Sequence, residues 1–137
     1  MKYPITVYGD TILRKRAENI KKDTEGLNEI IENMWETMYY ADGVGLASPQ
    51  TGLPIRLFVI DGTSNVDEEP ELNEFKKVFI NPEIIELSGE NWVMNEGCLS
   101  LPEIRVMTYT PVCTFGLISM VSLPTTARCM ILDPADW

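Results

Sequence analysis

The sequence predicts an α+β domain in which antiparallel sheets pack on one long N-terminal helix. Two observations predict it. A single stretch near residue 30 has helical periodicity, and further along come several short apolar runs rich in β-branched and aromatic residues, each bounded by turn residues. The chain has 137 residues, 45% hydrophobic and 23% charged, which is the make-up of one folded domain rather than a linker. A chain of this size buries roughly two-thirds of the surface its unfolded form exposes, enough for a core without disulfide staples.

The helix is expected from about Gly26 to Ala41. Leu27, Ile30, Ile31, Met34, Trp35 and Met38 recur along one face, while Asn28, Glu29, Glu32, Asn33, Glu36 and Thr37 fill the other. Asp23 and Thr24 offer an N-cap, Glu25 places an acid near the positive end of the dipole, and Asp42-Gly43 supplies the stop. The Met and Trp stripe reads as core packing. Residues 43–52 are too rich in glycine, and too interrupted by Pro49, for a regular element, so a shaped loop is expected. Ile55 to Ile60 is an apolar run suited to a largely buried strand, closed by Asp61-Gly62. Thr63 to Glu74 is acidic and lacks periodicity, as an exposed loop would be. Val78 to Ile80, Ile84 to Leu87 and Asn91 to Met94 read as strands, with Pro82 and Ser88-Gly89 at their turns.

Charge and histidine content exclude whole classes of function. Eleven basic against 21 acidic residues give a formal charge of -10, which repels nucleic-acid phosphates and anionic membrane surfaces in the absence of a basic patch. Arg14, Lys15, Arg16, Lys21 and Lys22 form only a short solvated segment between acids. No apolar run reaches about 18 residues and the start lacks the apolar core of a signal peptide, so no membrane association and a cytoplasmic location are expected. Three cysteines without regular spacing make no disulfide framework. There is no histidine, which removes Ser-His-Asp and Cys-His chemistry and every imidazole-based metal site.

Composition breaks near Arg105. Of the chain's 11 basic and 21 acidic residues, only Arg128, Asp133 and Asp136 lie beyond it, along with Cys113 and Cys129. Val106 to Thr110 reads as a strand only over its first positions. Neither period persists afterwards, and Pro111, Pro124 and Pro134 punctuate the rest. The chain is therefore expected to form a single domain, residues 1–137, whose last 32 residues (106–137) are an atypical tail: a buried apolar segment, or sequence out of frame or truncated relative to what the fold requires.

Two short segments carry chemistry. Gly43-Val44-Gly45-Leu46-Ala47-Ser48-Pro49-Gln50 has small residues that let backbone approach a ligand, then an amide able to donate to a carbonyl oxygen gaining charge. Glu96-Gly97-Cys98-Leu99-Ser100-Leu101-Pro102 places a cysteine just after a strand. Taken alone, Cys98 reads as a buried structural thiol.

In this order the two segments resemble the peptide deformylases, which remove the formyl group from the first methionine of new bacterial polypeptides. The family's GxGLAAPQ pattern is met at seven of eight positions, counting the free one, with Ser48 in place of the usual Ala, and EGCLS is met throughout. Tyr8 to Ala17 is similar to the family's opening, and Ile80-Asn81-Pro82 to its strand ahead of the cysteine motif; the resemblance covers residues 1 to about 105. It implies that Cys98 ligates a divalent metal, iron(II) or in its place zinc, nickel or cobalt. It also implies that Gln50 and the Leu99 N–H form the oxyanion hole, that Gly45 lets the substrate backbone pass, and that the cleft lies between the glycine-rich loop and the cysteine strand. N-formylmethionyl peptides, on ribosome-associated nascent chains, would be the partner.

The family's third motif, HExxH on a central helix, is missing. Its histidines would complete the metal site and its Glu would act as base, yet this chain has no histidine and no glutamate after Glu103. A lone thiolate holds a divalent ion poorly. The chain is thus expected to be an inactive family member; a non-catalytic pseudo-enzyme that binds formyl-methionine peptides is the alternative. A metal-free thiol hydrolase would lack a base for Cys98. Without the central helix, the face bearing Leu27, Ile31, Met34 and Trp35 is expected to be covered by the tail or left open.

Overall fold

A computed structural model describes residues 1–63, 73–86, 92–110 and 128–129. The fold is α+β, with helix α1 (Leu27–Tyr40) and antiparallel strands. Strands β1 (Gly45–Ala47), β2 (Leu57–Asp61) and β3 (Lys76–Ile80) form a sheet in chain order. β4 (Ile84–Glu86) pairs with β7 (Arg128–Cys129), and β5 (Trp92–Cys98) with β6 (Leu101–Thr110).

Alternation along β2 explains its unbroken apolar run. Leu57 and Val59 face the helix, where they pack with Leu46, Ile80, Ile20, Met34 and Met38. Phe58 and Ile60 point the other way and pack with Phe79. Both faces of the sheet are buried, so neither set of positions needs polar residues. Phe58 and Phe79 are register partners whose rings stack at 4.4 Å, a cross-strand aromatic pair that pins the β2–β3 register.

The apolar face of α1 thus has a partner. Met34 and Met38 are fully buried against the sheet, and Leu27, Ile31 and Trp35 are half-buried around them. The sheet β1–β2–β3 is that partner for Met34 and Met38, while the tail residues 111–127 and 130–137, expected over this face, lie outside the described residues. The polar face also differs from expectation, because Asn33 and Thr37 are buried. The N-terminal segment lies over them: the Tyr3 N–H donates to Thr37 Oγ1 at 2.9 Å, Asn33 Nδ2 donates to the Tyr3 hydroxyl at 3.4 Å, and the Met1 ammonium donates to Asn33 Oδ1 and pairs with Glu36 at 2.9 Å. Periodicity does not separate a water-facing polar stripe from one that docks a polar segment.

The N-terminal end of the helix departs from the expected residues, whereas the stop falls at Asp42-Gly43 as expected. Thr24 Oγ1 accepts from the Lys21 N–H in the preceding turn, and the N-cap is Gly26 at φ 73°, whose carbonyl accepts from Ile30. Glycine meets that left-handed geometry without a Cβ penalty. At the C-terminus Asp42, at φ 53°, takes the left-handed position usually given to glycine. The Asp42 and Gly43 N–H groups bond back to the carbonyls of Tyr39 and Met38, the Schellman arrangement. Two further expectations are corrected. The glycine-rich stretch contains β1 and a 3-10 turn, Ser48–Thr51, because pairing with β2 supplies order that its local pattern lacks. β6 runs through Thr110 because β5 pairs with it from Arg105 onward, Trp92 opposite Thr110. Of the acidic loop, residues 64–72 lie outside the described residues, as do 87–91, 111–127 and 130–137 of the later expectations.

Two side-chain clusters tie segments together. Asn81, at φ 49°, imitates a peptide group: its Oδ1 accepts from the Ile20 N–H at 2.7 Å and its Nδ2 donates to the Ile20 carbonyl at 2.8 Å. On the sheet's far edge Tyr39 donates to Asp61 at 2.5 Å, and Lys76 lies over the stacked rings of Trp35 and Tyr39. Burial pushes the Asp61 carboxyl up, but hydrogen bonds from Thr63 and Tyr39 and the Lys76 charge outweigh it and hold the group below its ordinary value.

Asn81→Ala leaves the backbone groups of buried Ile20 unpaired and puts alanine at a left-handed φ, so urea denaturation is expected to show a loss of about 2 kcal/mol or more. A loss under ~0.5 kcal/mol would remove Asn81 from the account of the fold. Because its folded-state pKa is depressed, Asp61 contributes stability that is fully present above the unfolded value, near pH 4, and that is lost as pH falls through the folded value. Asp61→Asn should therefore lose stability less steeply than the parent in that acid window; identical slopes would show that the carboxylate contributes nothing.

Candidate active site

Gln50 stands in the 3-10 turn Ser48–Thr51, which Pro49 starts with its preset φ. The turn is cross-braced: Ser48 Oγ donates to the Leu53 carbonyl at 3.0 Å and Thr51 Oγ1 to the Ser48 carbonyl at 2.8 Å. Ser48 is fully buried, and its extra hydroxyl relative to alanine is satisfied by that first bond. Gln50 is 7% exposed, and its Oε1 accepts from the Ala47 N–H at 2.9 Å.

Cys98 arrives from the β5–β6 hairpin. The ladder places Gly97 opposite Arg105, but Cys98 opposite Leu101, so residues 102–104 fall out of register. Glu103 within them has φ 66°, and all three are exposed. A bulge of this kind bends the strand and re-aims the side chains next to it. Here it turns Cys98 and the Leu99-Ser100 corner toward Gln50. The N-terminal segment fastens both motifs in place: the Thr6 N–H donates to the Gln50 carbonyl at 2.7 Å, and the Tyr8 N–H to the Ser100 carbonyl at 2.8 Å.

At the meeting point Gln50 Nε2 donates to Ser100 Oγ at 3.1 Å and to Cys98 Sγ at 3.7 Å. Cys98 is half-buried and free of disulfide. A cavity of about 200 Å³ opens beside these three residues, walled by Tyr8, Asp10, Leu13, Arg14 and Leu101. A larger cavity of about 750 Å³ lies on the other side of Gln50 against Phe58 and Arg56, and Cys98 does not line it. The smaller one adjoins the thiol and is the candidate site.

Gln50 and Cys98, singled out in the sequence, therefore meet. Leu99 comes directly after Cys98, and its side chain packs on the core and on Gly43 rather than into the cavity. Gly45 is buried in β1 opposite Ile60. Residue pattern does not single out two further site residues. Ser100, 3% exposed, is visible in the sequence only as the last letter of its motif. Gly43 matters for space: a Cβ there would stand 2.7 Å from Leu99 Cδ1. With no histidine in the chain, the residues do not fit a metal set that needs imidazole ligands, and among the described residues no three His, Cys, Asp or Glu side chains gather where they could hold an ion.

An α+β domain that brings a glutamine from a glycine-rich turn against a cysteine at a hairpin bulge has the framework of a peptide deformylase. The sequence profile of the family described as polypeptide deformylase matches residues 2–109. The peptide deformylase of Christiangramia forsetii is 54% identical over 110 residues, covering 74% of this chain and 56% of that protein. That of Flavobacterium johnsoniae is 51% identical over 113 residues, with 77% and 58% covered. The crystal structure of peptide deformylase from Thermotoga maritima superposes with a TM-score of 0.67 at 47% identity, covering 78% of this chain and 66% of that one. The chain belongs to the peptide deformylase family. It spans a little over half the length of the curated relatives it matches.

Gly43→Ala is expected to cost about 1 kcal/mol, at the low end for overpacking because the Leu99 side chain can swing aside. Combining it with Leu99→Ala in a double-mutant cycle should recover most of the cost; strict additivity would show that the 2.7 Å approach plays no part.

Proposed function

We propose that this chain carries the substrate-facing half of the site with which peptide deformylases remove the formyl group from the N-terminal formyl-methionine of nascent polypeptides, and that as the sequence stands it is inactive. The observation that carries the reading is the meeting of Gln50, Cys98 and Ser100 beside one small cavity. In this reading Gln50 Nε2 and the Leu99 N–H donate to the formyl oxygen, and the buried Gly45 gives the peptide backbone room. Neutral amide donors of this kind suit a carbonyl oxygen that gains charge in acyl transfer. They suit a phosphate less, and the net charge of -10 opposes one.

Cys98 would be one ligand of the family's divalent metal, iron(II) or zinc or nickel in its place. The chain's residues do not fit the rest of that set, and no step is derived through the metal. Nor does any glutamate come after Glu103 to serve as base. The chain is read as a single deformylase-like domain whose residues after 105 depart from the family. The profile match ending at residue 109 and the loss of Lys and Glu after Arg105 support this. A cytoplasmic location accords with the substrate, and among the described residues no helix is long and apolar enough to cross a membrane.

Retention of the Gln50 framework without a metal set favours the second reading, a non-catalytic protein that binds formyl-methionine peptides. The purified chain, supplied with iron(II) or nickel(II), is expected to release no formate from an N-formylmethionyl peptide. It should still bind that peptide more tightly than the unformylated one by calorimetry. Formate release above the metal-only control would overturn the inactive reading, and equal affinity for the two peptides would overturn the binding one.

A further inference from the structure

We propose that Ser100 is a positioning residue: its hydroxyl holds the Gln50 side-chain amide with the Nε2 end turned toward Cys98. A glutamine amide keeps nearly the same shape when turned over, and its terminal torsion is broad, so only hydrogen bonds decide which end faces where. At one end the partner is the Ala47 N–H, which can only donate, and that end must therefore be Oε1. The other end is then the NH2 group. It faces two acceptors of unequal strength, the Ser100 hydroxyl at 3.1 Å and the Cys98 sulfur at 3.7 Å. Sulfur is the weak acceptor of the two. Ala47 therefore sets which end faces Cys98, and Ser100, the stronger of the two acceptors, holds the NH2 group there.

Ser100 is itself held in place. Its carbonyl accepts from the Tyr8 N–H at 2.8 Å, and the residue is 3% exposed. Gln50 is 7% exposed, so little water reaches the amide to replace a lost partner. Resting on the deformylase reading, the consequence is how firmly the amide N–H is aimed. Held by Ser100, Nε2 stands where it donates to a formyl oxygen; without that acceptor the NH2 end is tethered only by the weak sulfur contact.

Ser100→Ala removes the hydroxyl alone. Ser100→Thr keeps it, and the added methyl has the adjoining cavity of about 200 Å³ to enter. Ser100→Cys, similar in size and a poor acceptor, serves in place of the alanine variant if that one does not fold. In nitrogen-15 correlation spectra of the full chain, the Gln50 side-chain NH2 pair is expected to move toward the positions of free glutamine in Ser100→Ala and to return in Ser100→Thr. Affinity for an N-formylmethionyl tripeptide should fall about three- to tenfold in Ser100→Ala, the effect of one ordinary hydrogen bond, and recover in Ser100→Thr. A folded Ser100→Ala whose Gln50 signals do not move overturns the proposal. If those signals move and return as described, but the parent chain shows no preference for the formylated peptide, the positioning role is supported and the deformylase reading alone fails.

Discussion

Two backbone hydrogen bonds from the N-terminal segment hold this site together. Thr6 and Tyr8 are two residues apart, at the entry to the turn closed by the Asp10 N–H on the Val7 carbonyl. The N–H of the first meets the Gln50 carbonyl and that of the second the Ser100 carbonyl. The 3-10 turn and the hairpin corner lie 50 residues apart in sequence and belong to different sheets, and this strap is their shared main-chain support. A little earlier the same segment docks on α1 through Tyr3 and Met1. The first eight residues thus relate helix, turn and hairpin to one another. Their own composition, with exposed Val7 and Tyr8, adds little to the core.

Much of this is readable from residue pattern, and the exceptions share a cause. The periodicity of α1 and the apolar runs of β2 and β3 report burial against whatever partner the fold supplies, so they survive in a single sequence. β1 has three residues and takes its order from Leu46 pairing with Val59. Asn33 and Thr37 carry ordinary helix polarity and become buried only because a segment about thirty residues away covers them. The same division runs through the site. Gln50 and Cys98 stand out by chemistry and motif, while Ser100 and Gly43 acquire their places from contacts across the fold, a hydroxyl 50 residues from its amide and a missing Cβ beside Leu99.

The donors at the centre are already engaged. Gln50 Nε2 has two hydrogens and two acceptors, Ser100 Oγ and Cys98 Sγ. A carbonyl oxygen entering the cavity exchanges for one of these rather than filling an empty valence, and the sulfur contact is the cheaper to give up. Exchange of this kind leaves a small net gain in the ground state and a larger one when the incoming oxygen bears charge.

The register slip between Gly97 and Cys98 separates two kinds of sequence change. Within Trp92–Gly97 a one-residue insertion would turn every subsequent side chain to the opposite face of the ladder. Residues 102–104 are exposed and outside that alternation, so a length change there has no ladder to invert. The bulge works as a buffer: drift in loop length downstream of the cysteine corner is absorbed before it reaches the paired strands, and the aim of Cys98 is insulated from it.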